Sequence, residues 1–149
     1  MKIELAYLGK VSLAFALATI ILTIVVIMAN AADYPTNLWK GLIAEAVSEG
    51  ERGMEAVCFV YRTRLQNGLN LGCVALLKRH DLDAFVARQG KKYEVFAKAI
   101  VERVFNGQVN DPTFGATHYE NIKAFGIPYW AKEMVVTCKI GVHTFYKEK

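Results

Sequence analysis

The chain has no His-Glu-x-x-His segment and no paired Cys-x-x-Cys spacing, so a zinc hydrolase finds no support in it, and no metal or other cofactor is expected. It also lacks a lysine- or arginine-rich stripe, and a net charge of +4 over 149 residues is too small to argue for nucleic acid. That charge suits an anionic wall polymer or a membrane surface instead. No repeat period and no low-complexity segment is visible. Cysteines are few, and three is an odd number that fixes no pairing. Cys58 is expected to be a buried, inert thiol on the apolar face of a helix, and no bridge between Cys73 and Cys138 is expected.

Charge is missing altogether from Val11 to Met28, and the uncharged run continues to Ala32. Lys2 and Lys10 precede the run, and Ala29-Asn30-Ala31 closes it with a small-x-small pattern. Residues 1–31 therefore read as an export signal. The apolar core is longer than a usual signal core of roughly 7–15 residues and close to the roughly 20 that span a bilayer. Cleavage after Ala31 and retention as a signal anchor through residues 11–28 both fit, the latter making the membrane a partner. In either case the two lysines stay cytoplasmic and the rest of the chain is exported, to the periplasm or cell wall. Residues 32–37 form a polar linker, and 38–149 are enough for one domain with a single core.

Thr36 or Asn37 offers an N-cap for a helix from about Leu38 that Gly50 ends. From Gly53 to Gln66, Met54, Val57, Cys58, Tyr61 and Leu65 recur on one helical face, and the apolar Phe59 and Val60 outside it mark a helix buried on more than one side. This is the expected central helix. Short helices follow over Cys73–Lys78 and, capped by Asp81 or Asp83, through Arg88 to Gly90. Tyr93, Phe96, Ala97, Ile100 and Val104 stripe a longer helix, with Lys98 and Glu102 able to pair outside it and Asn106-Gly107 as its stop. After Asn110 the pattern turns irregular, with an extended piece over Thr117–Asn121. Val135–Lys139 and Val142–Tyr146 read as a hairpin around Ile140-Gly141. The expected fold is α+β, mainly helical with a small antiparallel sheet.

One residue breaks the helical pattern. Leu38, Leu42 and Glu45 fall on one face at i, i+4 and i+7, which puts a carboxylate where periodicity calls for an apolar side chain. A carboxyl group held against apolar neighbours tends to stay protonated near neutral pH, as a general acid for glycosidic bond cleavage must. A glutamate that reaches solvent or an arginine explains the spacing too, and spacing alone favours that.

The stretch Glu45-Ala46-Val47-Ser48-Glu49, followed by Gly53, Ala56-Val57 and Arg64, resembles the cell wall hydrolase family typified by the spore-cortex-lytic enzyme SleB. Asp111-Pro112-Thr113, Gly115-Ala116-Thr117-His118-Tyr119, Asn121, Pro128-Tyr129-Trp130, Ile140-Gly141, His143 and Phe145-Tyr146 resemble its second motif. The likeness covers most of residues 38–147. It implies a lysozyme-related catalytic domain that cleaves peptidoglycan glycan strands, as a lytic transglycosylase or muramidase, with Glu45 as the catalytic acid. Glu49 and Glu120 are candidate second carboxylates, and Glu49, Thr117, His118, Tyr119 and Asn121 are candidate substrate-binding residues. Three features depart from the family pattern, the first being Glu120 where an aromatic or apolar residue is common. Phe114 stands where a second glycine is common, and Lys78-Arg79-His80-Asp81-Leu82-Asp83-Ala84-Phe85 replaces a segment containing glutamine and phenylalanine, which implies a different cleft wall.

Two other readings compete. In a cysteine peptidase or amidase acting on wall peptides, Cys73 at a helix start would have a lowered thiol pKa, with His118 or His143 as its base. In a non-enzymatic, membrane-tethered wall-binding lysis accessory, Glu45→Gln would leave the biological effect intact.

Overall fold

The structure, a computed structural model, describes residues 15–21 and 33–149, and the chain divides into two units, 1–31 and 32–149. In the first unit residues 15–21 are helical. The rest of the expected signal or anchor lies outside the described residues, among which no helix is long and apolar enough to cross a membrane.

The second unit is α+β. Helix α1 spans Leu38–Ala46 and buries Leu38, Leu42, Ile43 and Ala46. Asn37 takes the N-cap position, but its side chain makes no capping bond; Leu38 N donates to Pro35 O and Lys40 N to Asn37 O, both at 2.9 Å. The helix ends four residues before Gly50, because Ala46 leaves helical geometry (φ −141°) and Val47–Glu49 form a 3₁₀ turn. Gly50 adopts a left-handed φ of +67° and opens α2, Gly50–Gln66, so it starts the second helix rather than stopping the first.

α2 is the centre of the molecule. Its buried residues include Met54, Val57, Cys58 and Tyr61 on the expected stripe and Ala56, Phe59 and Val60 off it, because α1 and α5 pack on it from one side and the sheet from another. Two short helices, α3 (Val74–Lys78) and α4 (Leu82–Gln89), lie against α1. Asp81 precedes α4 without capping it through its side chain, which instead accepts from Arg79 and Arg88. Helix α5, Lys91–Phe105, buries Ala97, Ile100 and Val104 as its stripe requires. Lys98 pairs with Glu94 at 2.7 Å rather than with Glu102, since Glu94 is one turn towards the helix N-terminus, where a carboxylate also meets unpaired N–H groups.

The sheet is antiparallel in the order β1-β3-β2, with β1 His118–Glu120, β2 Met134–Ile140 and β3 His143–Glu148. Ile140 pairs with His143 across the turn and Tyr119 with Phe145, with an irregularity in β2 between Val136 and Cys138. A four-residue helix α6, Ile122–Phe125, follows β1. The extended piece at Thr117–Asn121 is thus a third strand, and Phe145 from the middle strand closes the core against α2. Cys58, Cys73 and Cys138 are free thiols.

Candidate active site

Because Leu38 and Leu42 anchor α1 in the core, Glu45 emerges one turn later at the edge of that core, half-buried. It lines a cleft of about 250 Å³ with Tyr61 and Arg64 of α2 and His118, Tyr119 and Glu120 of β1. One carboxylate oxygen, Oε1, accepts the Ala75 N–H of α3 at 3.0 Å. That donor belongs to the first turn of a helix whose own N-cap residue, Cys73, supplies no side-chain acceptor, so Glu45 satisfies it from outside. The bond fixes the carboxylate on its backbone side.

Behind Glu45 stand two phenols. Tyr61 is fully buried, and its hydroxyl meets that of Tyr119 at 3.1 Å. Burial holds the Tyr119 phenol well above its usual pKa, and the nearby Glu45 adds to the rise, so Tyr119 is a neutral donor beside the carboxylate. Arg64 fixes the floor: Nε and Nη2 donate to the backbone and side-chain oxygens of Asn70 at 2.8 and 2.9 Å, and Nη1 to Thr117 O at 2.9 Å. Gly72, with φ +76°, leaves room for this guanidinium, which a Cβ would overlap.

The other residues singled out in the sequence separate. Thr117 is buried, and its hydroxyl meets His118 Nδ1 at 3.0 Å. His118 packs on Trp130 with ring centroids 5.1 Å apart; burial first, then the Arg64 charge, lowers its pKa. Asn121 caps α6, accepting the Ala124 N–H at 3.1 Å, and does not line the cleft. Glu49 does not line it either. Its Oε2 accepts the Val142 N–H at 2.8 Å, tying the β2–β3 turn to the start of α2, and neither Arg52 nor Arg64 is its partner. Glu120, by contrast, shares the cleft with Glu45 and spends Oε1 on the Asn121 N–H. His143 is buried edge-on to Tyr119, with Nδ1 unpartnered; burial lowers its pKa against the opposing pull of Glu49, Glu45 and Glu120.

Cys73 does not have the environment of a nucleophile. Its thiol is buried beneath α1, and burial raises its pKa instead of lowering it. Its polar neighbours are Tyr61, Glu45 and the backbone of Ala75 and Leu76, with no histidine among them.

Three contributors to the site escaped the sequence reading of roles: the Ala75 N–H, the Tyr61 hydroxyl and the Arg64 clamp. The first is a backbone group without a residue signature. Tyr61 sat in an apolar stripe, where a phenol reads as core, and only Arg64 at the end of that stripe carried a visible signal.

Glu45 and Val74 also line a neighbouring cavity of about 600 Å³ with Ala44, Lys78, Arg79 and His80. Glu45 is therefore common to two openings.

Among known proteins, the model of the cell wall hydrolase family matches residues 48–146. The match begins three residues after Glu45, includes Glu49, β1 and β2, and ends within β3. No curated protein and no solved structure matches the chain.

Proposed function

This chain belongs to the cell wall hydrolase family and acts on peptidoglycan, and from that premise we propose that it cleaves the glycan strand between N-acetylmuramic acid and N-acetylglucosamine with Glu45 as general acid. The observation that carries the proposal is the position of Glu45, a half-buried carboxyl group shared by two cavities and oriented by a backbone N–H. A bond that crosses this group has room for sugars on both sides.

In the forward step Glu45 gives its proton to the glycosidic oxygen, the bond from that oxygen to C1 of the muramic acid breaks, and the electron pair leaves with the departing sugar. Positive charge develops at C1. The Glu45 carboxylate then accepts the proton of the C6 hydroxyl, whose oxygen attacks C1 and closes a 1,6-anhydro ring. Only one carboxylate is needed, which makes lytic transglycosylation the preferred course. Tyr119, Thr117 and His118 provide hydroxyl and ring contacts to the sugar.

A hydrolytic course draws support from Glu120, the second carboxylate in the same cleft. There Glu45 would act as the acid and Glu120 as the partner that activates water or stabilises charge. Mass spectrometry of digested peptidoglycan separates the two. Anhydro-muropeptides that vanish with Glu45→Gln mean transglycosylation, and reducing ends that vanish mean hydrolysis. Peptide-bond products, or full activity in Glu45→Gln, would refute a glycosidase. Export by residues 1–31, cleaved or anchored, would deliver the domain to this substrate.

A further inference from the structure

The wider cavity beside Glu45 differs from the first in charge. Along its wall Arg79 donates to Asp81 at 2.9 Å, and Asp81 also accepts from Arg88 at 3.2 Å, so one carboxylate balances two guanidiniums. The Arg79 guanidinium lies 3.8 Å over the Phe85 ring, which together with the Asp81 bond holds it in place. Farther along, Lys40 is taken up by Asp83 at 2.6 Å. Lys78, exposed at the end of α3 on the same wall, has no carboxylate partner among the described residues. Apart from Glu45 itself, the lining sets Lys78 and Arg79 against Asp81, one positive charge in excess beside the proposed reacting bond.

We propose that this cavity is a subsite for a carboxylate of the peptide stem that peptidoglycan carries, with Lys78 as its counter-ion and the fixed Arg79 guanidinium adding to the field. The inference rests on the glycosidase reading and extends it to what the enzyme recognises beyond sugar. The stem is attached to the muramic acid whose bond is cleaved, so a stem carboxylate falls within reach of any cavity that adjoins Glu45. An uncharged polysaccharide offers no partner for Lys78. The wall is built from Lys78-Arg79-His80-Asp81, at the end of α3 and the turn that follows it.

Two measurements test it. The first compares kcat/KM on stem-bearing glycan strands with that on strands stripped of stems by an amidase. The ratio of the two should fall about tenfold in Lys78→Glu and about threefold in Lys78→Ala, the range of one solvent-exposed ion pair and its reversal. A ratio unchanged by both substitutions overturns the proposal, as does a wild-type protein indifferent to stems. The second is calorimetric binding of a free stem tetrapeptide to Glu45→Gln, with and without Lys78→Glu. Weaker binding in the double variant supports the subsite, and equal binding refutes it. This arm does not require catalysis, so it separates failure of the subsite from failure of the glycosidase reading. Thermal melts of Lys78→Glu and Lys78→Ala ensure that a folded variant is compared.

Discussion

Around Glu45 the molecule is open, and around Glu49, four residues later, it is closed. Glu45 faces two cavities and spends one oxygen on a backbone donor from α3. Glu49 is folded against Gly53 and Gly141, where an added Cβ would collide with it, and its carboxylate fastens the β2–β3 turn. On an unbroken helix the two would share a face at i and i+4. They do not, because α1 ends at Ala46 and the 3₁₀ turn over Val47–Glu49 swings the second carboxylate towards the hairpin. A motif with two acidic residues thus joins a cleft carboxylate to a structural tie.

Substitutions at the two glutamates should pull this comparison apart most strongly. Glu45→Gln keeps an acceptor for Ala75 N–H but has no proton to give, so cleavage should fall by about 10²- to 10⁴-fold with the thermal midpoint little changed. Glu49→Ala leaves the Val142 N–H to solvent and should cost about 1 kcal/mol in urea denaturation, with a smaller loss of activity than Glu45→Gln. Equal losses of activity in the two variants would erase the distinction.

The histidines sharpen it further through pH. His118 and His143 both have pKa values below their ordinary 6.5, chiefly through burial. Above about 6.5 both folded and unfolded chains leave them neutral. Below it the unfolded chain binds protons first, so stability should decline as pH falls from 6.5 through the folded values. Urea midpoints at pH 7.5 and 5.5 read this, and His118→Gln with His143→Phe should flatten the difference. The decline belongs to the sheet side of the cleft and should leave the Glu45 bond to α3 untouched.

The smallest effect lies away from both glutamates. Asp111 accepts from Thr113 N, Thr113 Oγ1 and Gly115 N, and this loop forces Phe114 to a φ of +56° with its ring in solvent. A non-glycine residue there is strained. Phe114→Gly should stabilise the fold by about 0.5–1 kcal/mol, read as a higher urea midpoint with unchanged products.

Much of the helical half was legible because its signal is periodic. The stripe from Met54 to Leu65 and that from Tyr93 to Val104 each lie on one helix, and the burial of Met54, Val57, Cys58, Tyr61, Ala97, Ile100 and Val104 follows from spacing. Boundaries were less legible: Gly50 reads as a stop by type, yet its left-handed backbone serves equally well to begin α2. At the site, Glu45 stood out as a carboxylate in an apolar register. Asn121 and Thr117 looked alike as polar residues near a strand, although one caps α6 and the other lines the cleft.

What the sequence determined by itself is local: the helical stripes, the terminal hairpin, the uncharged N-terminal run and the misplaced carboxylate at position 45. These depend on residues a few positions apart, whose geometry the backbone repeats. What only the tertiary structure decided is which distant groups meet Glu45. Ala75 N–H, Tyr61, Tyr119, Glu120 and Lys78 reach its surroundings from three different elements, and no periodicity records such meetings, because they arise when α1 and β1 pack on α2 and α3 packs on α1.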